Sequence, residues 1–250
     1  MKKVKRALIS ISNKKDLKSI LIILKKYKIE IISSGGTYKK IKRLGFSSTE
    51  ISEYTNFPEI LGGRVKTLHP KIHAGILSKR ENKVHREELI SKNFSEIDLV
   101  IVNFYPFENF IKQSSNIKKI IENIDIGGPT LVRAAAKNYN DVVVISNPEQ
   151  YTSLINELKK KKGRTSLEFR QKKSLEAFSE IAYYDSVISN YFNKISKNNF
   201  TNKKVFYGNL HEKLRYGENP HQSAAIYSEE ASLNINQIHG KKLSYNNYND

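Results

Sequence analysis

An α/β fold, a doubly wound parallel sheet, is the architecture this sequence predicts, and three observations carry that reading. Strand-like and helix-like segments alternate through residues 1–150. One strand, Asp98–Asn103, is a continuous apolar run, as expected for the buried middle of a parallel sheet, and another strand follows at Asp141–Ser146. The loops after the first strands are rich in Ser, Gly and Thr, at the strand ends where such sheets hold their ligands.

The elements follow in order. Ala7–Ser12 reads as a strand, and Asp16–Tyr27 sets Leu17, Ile20, Leu21 and Leu24 at helical spacing. Glu30–Ser34 is a second strand ended by Gly35 and Gly36. Thr37–Leu44 is a short helix stopped by Gly45. Pro129–Asn138 reads as a helix with proline in its first turn. After the strand Asp141–Ser146, Asn147-Pro148-Glu149 opens another helix, and the pattern from Thr165 to Phe192 is helical throughout. Ser196–Lys204 is polar and rich in Asn and Lys, the composition of a linker. The expected organisation is a first domain over 1–146, a helical extension and linker over 147–199, and the start of a second domain over 200–250.

Composition narrows the function classes. The 250 residues, 38% hydrophobic and 10% aromatic, can bury a core, which argues against disorder. No apolar stretch approaches the roughly 20 residues of a membrane span. The basic start Met1–Arg6 runs into a strand pattern rather than the apolar core of a signal peptide. With no Cys there is no disulfide framework and no thiolate metal site. A soluble cytoplasmic protein without membrane contact is expected. The formal charge of +18 admits nucleic-acid binding, but the lysines are spread over many segments and rarely interleave with aromatics. That favours a lysine-rich chain with no nucleic-acid partner, whose field suits a small anionic substrate.

Five segments carry candidate chemistry. Ser12-Asn13-Lys14 offers a hydroxyl, an amide and an ammonium beside a helix start. Ser34-Gly35-Gly36-Thr37 lets successive backbone N–H groups face an anion at the positive end of a helix; a plain tight turn explains it equally well. Gly62–Gly75 packs Arg64, Lys66, Thr67, His69 and His73 into a Gly-rich stretch. Arg64 can grip an oxyanion with a fork of donors, and Lys66 can act as a point charge. The two histidines raise a metal site, but Pro70 intervenes and no Cys or close carboxylate completes a set, so packing or substrate contact is preferred. Tyr105, before Pro106, is pushed towards an extended conformation that can aim its phenol at a cleft or plug the core. Asp125 precedes a Gly127-Gly128-Pro129 helix start and Lys137 ends the same helix. Each reads as a dipole partner or as a catalytic group, and the residues alone do not separate the two.

Taken together, Ser12-Asn13-Lys14, Ser34–Thr37, Gly62–Pro70, Asn103–Phe107 and Ile124–Asn138 resemble the motifs of IMP cyclohydrolase, in the same order and at compatible spacing. Leu214–Gln222 and Lys242–Asn247 resemble the opening of AICAR transformylase, its partner in the bifunctional purine biosynthesis family. The resemblance implies a methylglyoxal-synthase-like sheet followed by the start of a second, cytidine-deaminase-like α/β domain. It implies closure of 5-formamido-imidazole-4-carboxamide ribotide to inosine monophosphate with loss of water, and no cofactor or metal. Ser12, Asn13, Lys14, Ser34, Gly35, Gly36 and Thr37 then hold the ribose phosphate. Arg64, Val65 and Thr67, with the backbone at Val102, Asn103, Asp125 and Ile126, orient the base. Lys66 stabilises the oxyanion, and Lys137 is the principal proton-transfer group, helped by Tyr105 and Asp125.

Arg215 and Tyr216 match ribotide-binding residues of the transformylase, whose co-substrate is 10-formyltetrahydrofolate. That chemistry uses a Lys-His pair, and no Lys-His dipeptide occurs here. The chain by itself is therefore expected not to transfer formyl groups, while its full-length parent is expected to be a homodimer that does both steps. A methylglyoxal-synthase-like lyase and a regulatory nucleotide-binding domain are the rival readings. The Arg64–Pro70 and Ile124–Gly128 segments speak against the first. The joint presence of Lys66, Tyr105 and Lys137 speaks against the second.

Overall fold

A computed structural model describes residues 1–105, 107–196, 200–229 and 237–249. Pro106, residues 197–199 of the expected linker, and residues 230–236 and 250 of the second expected domain lie outside the described residues. In chain order the elements are β1 (Lys2–Lys3), β2 (Arg6–Ile11), α1 (Leu17–Lys26), β3 (Glu30–Ser33), α2 (Gly35–Arg43), β4 (Thr49–Glu50), α3 (Ile51–Thr55), α4 (Pro70–Leu77) and α5 (Lys83–Ser91). There follow β5 (Leu99–Asn103), α6 (Phe107–Gln113), α7 (Ile117–Glu122), α8 (Gly127–Lys137), β6 (Val143–Ile145), α9 (Tyr151–Lys160), β7 (Arg164–Thr165) and α10 (Leu167–Ile195). The last are β8 (Asn209–Lys213), β9 (Ala225–Ser228) and α11 (Asn246–Asn249). Two compact units divide the chain, Met1–Ala182 and Tyr183–Asp250.

In the first unit, five parallel strands run in the order β4-β3-β2-β5-β6. Strand alternation explains the two-sided core. Ala7, Ile9 and Ile11 of β2 pack with Leu99 and Ile101 of β5 under α1 and α9. Leu8, Val100 and Val102 face the other way, onto α4, α8 and α10. Ile9 pairs with Ser33 on one side and Ile101 on the other, so β2 and β5 form the centre. The apolar run expected in the middle of the sheet, Asp98–Asn103, is β5, while the strand expected at Asp141–Ser146 narrows to Val143–Ile145 and forms β6 at the sheet edge.

Between Gly45 and Asp125 the sequence pattern assigns only the strand Asp98–Asn103 and the Gly-rich stretch Gly62–Gly75, and the described residues there form five short helices besides β4 and β5. Helices of five to nine residues complete too few turns to display periodicity, and tertiary packing stabilises them. In α4, Pro70 occupies the first turn and Ile72 and Ile76 are buried. Gly75 lets that helix approach the segment leading into β5, since a Cβ there would lie 2.5 Å from the Ser95 carbonyl oxygen. The long α10 closes the far side. Its buried Arg170 donates to the carbonyls of Tyr139, Asn140 and Thr165, each at 2.7 Å. Ser174 Oγ donates to Ala136 O at 2.8 Å, so carbonyls at and just beyond the end of α8 find partners.

Within the second unit, β8 and β9 pair antiparallel. The Arg215 N–H donates to Leu243 O at 2.8 Å and the Tyr245 N–H to Tyr216 O at 3.1 Å, which joins two of its motifs. Among the described residues no helix is long and apolar enough to cross a membrane.

Ile101 is 1% exposed at the middle of the sheet. Ile101→Ala is expected to cost about 2–5 kcal/mol, the usual loss for a buried large-to-small change, read as a lowered urea midpoint.

Candidate active site

The chain passes from β2 to β3 on one side and later returns to β5 on the other, so the strand ends diverge between β2 and β5. Crevices at such points take ligands. Here the carboxyl ends of β2, β3 and β5, the loop before α4 and the start of α8 enclose a cleft of about 700 Å³, ample for a nucleotide-sized ligand.

At one end of the cleft, side chains tie the strand ends together. Asn103 Oδ1 accepts from the Ser12 and Asn13 N–H groups at 2.7 and 2.8 Å, and its Nδ2 donates to Asn13 O at 2.8 Å. Thr37 Oγ1 accepts from the Ile11 N–H at 3.1 Å and donates to Ile11 O at 3.0 Å. Both polar side chains are thereby committed to backbone. Lys14 Nζ lies 3.2 Å from Ser12 O, and among the described residues it forms no ion pair. Beside it, α2 starts at Gly35 with a left-handed φ of +47°, so the positive end of the helix opens onto the same space.

Along another wall of the cleft, the chain folds into a tight hairpin. Ile60 bridges Val65 antiparallel across Leu61–Arg64, with positive φ at Leu61, Gly62 and Gly63. Lys66 Nζ sits 2.6 Å from Glu59 Oε2. Arg64 holds Glu122, at the end of α7, through both its Nε and a terminal nitrogen. That pair is solvent-exposed, and such pairs are worth little, so a ligand can take either partner at small cost.

Asp125 accepts from the Gly128 N–H at 2.8 Å. Burial nevertheless dominates and pushes its carboxyl above the ordinary carboxylate range, against the N–H groups of Gly128 and Gly127. Of the aromatic motif, Phe107 is buried and Phe104 packs on the core, while Tyr105 lines the cleft, 48% exposed and tilted over Phe110. His69 caps α4, its Nδ1 accepting from the Lys71 N–H at 3.1 Å. His73 is half-buried, and desolvation pushes its pKa down against a hydrogen bond with the Thr67 backbone. Among the described residues no His, Asp and Glu group is arranged to hold a metal ion.

Several glycines serve as recesses for these side chains. A Cβ on Gly35 would lie 2.7 Å from Lys66 Nζ, on Gly63 2.5 Å from Glu59 Oε1, and on Gly127 2.6 Å from Thr67 Oγ1. On Gly128 it would collide with the Asp125 carboxylate.

Ser12, Lys14, Ser34, Gly36, Thr37, Arg64, Lys66, Thr67, Asn103, Tyr105, Asp125 and Ile126 thus meet in one cleft. Asn13 and Gly35 belong to its loops, Val65 to its hairpin, and Val102 is buried in the second core. Lys137 is not among the lining residues. It is exposed at the last turn of α8, about 15 Å along the axis from Gly127 at 1.5 Å per residue. Arg215 and Tyr216 lie in the second unit, the guanidinium stacked 4.8 Å from the Tyr216 ring centre. Glu59 and Glu122 escaped the sequence reading. Glu59 and Lys66 stand equidistant from Gly62-Gly63, a hairpin signal that was available. Nothing local marks Glu122, which only the tertiary approach of α7 brings to Arg64.

Two family models match the chain: an MGS-like domain over residues 16–130 and an AICARFT/IMPCHase bienzyme over residues 135–250. The bifunctional purine biosynthesis protein PurH of Bradyrhizobium diazoefficiens is 43% identical, over 100% of this chain and 48% of its own length. That of Persephonella marina is 46% identical, over 98% of this chain and 49% of its own. The chain therefore spans about half the length of the curated relatives it matches. The crystal structure of ForH superposes with a TM-score of 0.67 at 28% identity, covering 76% of this chain and 99% of that one.

The raised Asp125 carboxyl has a consequence for stability. Its folded-state pKa exceeds the unfolded one, so its contribution is fully present below the unfolded value and is lost as pH rises through the folded value. Asp125→Asn keeps an acceptor for the Gly128 N–H and carries no charge. Urea unfolding across pH 4 to 8 is expected to show the variant equal to or more stable than the parent at pH 7, with a gap that closes towards pH 4.

Proposed function

The chain belongs to the bifunctional purine biosynthesis family, and on that footing we propose that its cleft is an IMP cyclohydrolase site acting on a formamido-imidazole carboxamide ribotide. One observation carries the reading. A single cleft brings together an ammonium with no carboxylate partner among the described residues, a helix start, a second cation, a carboxyl of raised pKa and a phenol.

The phosphate suits Lys14 and the backbone at the start of α2, since Thr37 and Asn103 are already engaged. The base then lies towards Arg64, Thr67, Tyr105 and Asp125. An amide nitrogen is a weak nucleophile, so holding it against the formyl carbon supplies much of the rate. As the new N–C bond forms, the formyl oxygen gains negative charge next to Lys66. The attacking nitrogen passes one proton to Asp125, which returns it to the formyl oxygen to give the carbinol. The carbinol oxygen then leaves as water with a second proton from Tyr105, while the formamido nitrogen forms the C=N bond and gives up its own proton, which restores Tyr105. Addition and dehydration are proton transfers, and they call for no redox or carbanion-stabilising cofactor.

Lys137 has the principal proton-transfer role by resemblance to the family. Asp125 and Tyr105 are the groups in the cleft itself, and we give them the step at the reacting atoms. For the complete protein we propose a cytoplasmic homodimer that acts on purine ribotides, without nucleic-acid or membrane partners. Its second activity is then AICAR formyl transfer from 10-formyltetrahydrofolate, with Arg215 and Tyr216 contributing to ribotide binding.

The deciding experiment mixes the purified chain with the formamido ribotide and follows the ultraviolet spectrum of inosine monophosphate. Its absence at stoichiometric enzyme refutes the reading. Asp125→Asn is expected to lower turnover roughly 10²- to 10⁴-fold, and Lys137→Ala to lower it less; the reverse order returns the role to Lys137. Because Asp125 must be ionised to accept a proton, kcat/KM falls as pH drops through its raised pKa. The acid limb is therefore expected above the ordinary value of about 3.9, and absent in Asp125→Asn. A limb near the ordinary value in the parent rules Asp125 out as the base.

A further inference from the structure

We propose that Glu59 is a positioning residue for Lys66, fixing in the cleft the ammonium that faces the developing oxyanion. The inference rests on the ring-closing reading above and names a residue that reading does not use.

Hairpin geometry makes the pairing a matter of register. Ile60 and Val65 face each other across the turn, with the Ile60 N–H donating to Val65 O at 3.3 Å. The next pair outward in the same register is Glu59 with Lys66, and opposite charges directly across an antiparallel pair attract. Their atoms meet at 2.6 Å. The turn itself is built from left-handed backbone at Leu61, Gly62 and Gly63, so the register does not slide freely.

Two bare positions show that the pair has a fixed place. Gly63 leaves room for the Glu59 carboxylate and Gly35 leaves room for the Lys66 ammonium, and a Cβ at either would lie within 2.7 Å of the charged atom. Glu59 and Lys66 both line the cleft. Lys66 is 25% exposed and Glu59 43% exposed, so neither is there to fill a core. A lysine ammonium on a flexible four-carbon stem samples many positions. Tethering it to a carboxylate turns a mobile charge into an oriented one, and oriented charge is what stabilises a transition state without reorganisation. Glu59 acts through Lys66 and need not touch the substrate.

A double-mutant cycle tests this, using single-turnover ring closure by the full chain, inosine monophosphate affinity by calorimetry, and the thermal midpoint. Glu59→Gln, similar in size and uncharged, is expected to lower kcat about 10- to 100-fold with KM and product affinity within threefold of the parent. Lys66→Met is expected to lose more, about 10²- to 10³-fold, the range for one oxyanion-stabilising group. The double variant is expected to match Lys66→Met within twofold. In nitrogen-15 spectra of the lysine ammoniums, the signal assigned to Lys66 is expected in the parent and lost in Glu59→Gln.

Wild-type turnover in Glu59→Gln overturns the inference. So does a double variant that falls further than Lys66→Met alone, since Glu59 would then act independently. A loss of product affinity matching the loss of kcat overturns it too, by making Glu59 a scaffold of the pocket. A Lys66 signal unchanged by Glu59→Gln does the same without any turnover measurement. A parent chain that closes no ring is a different failure: it removes the ring-closing reading and the catalytic half of this inference with it.

Discussion

Asn103 commits its carbonyl to two backbone N–H groups and an amide hydrogen to a third backbone position, all in the loop that leaves β2. It stands at the carboxyl end of β5, so these bonds join the two central strands at the point where a parallel sheet otherwise parts. Thr37 does the same between α2 and the end of β2. With the loop fixed on both sides, Lys14 and the start of α2 face one shared space. An apolar residue at position 103 would leave two N–H groups of the loop without this partner.

The electrostatics of the cleft build on that anchor. Of its three cations, Arg64 and Lys66 have carboxylate partners and Lys14 has none among the described residues. The charge is thus uneven within the cleft, free at Lys14 and internally balanced at Arg64 and Lys66. An anion entering such a field is oriented by it as well as attracted. The glycines serve this arrangement. Gly35, Gly63, Gly127 and Gly128 lie where a neighbouring segment sends a charged or polar side chain across the backbone. The Gly-rich loops look in sequence like backbone cradles for a phosphate. In the fold, several of their glycines make room for the protein's own lysine, threonine and carboxylates.

Some open alternatives closed only with the fold. The phenol of Tyr105 and the ring of Phe107 are two residues apart in one aromatic motif. One lines the cleft and the other is buried. Spacing cannot assign them, because the irregular turn after a strand has no fixed periodicity. Asp125 is both a helix-start residue bonded to the Gly128 N–H and a half-buried carboxyl lining the cleft, so its helix-start bond and its place in the cleft coexist. Lys137 stands at the end of α8 opposite the cleft, a separation that a helix of eleven residues imposes however close the two motifs are in sequence.

The amino-acid sequence by itself determined the parallel sheet, its buried central strands, the loops at their carboxyl ends and the chemical types collected there. Those follow from local rules: apolar runs, helical spacing, and glycine where the chain turns. Tertiary structure decided which of those groups meet. Ionic pairs such as Glu59 with Lys66 and Glu122 with Arg64 depend on a hairpin register and on the approach of α7. The burial that raises the Asp125 carboxyl depends on every element around it. Distance and desolvation are properties of the assembled chain, and no window of sequence contains them.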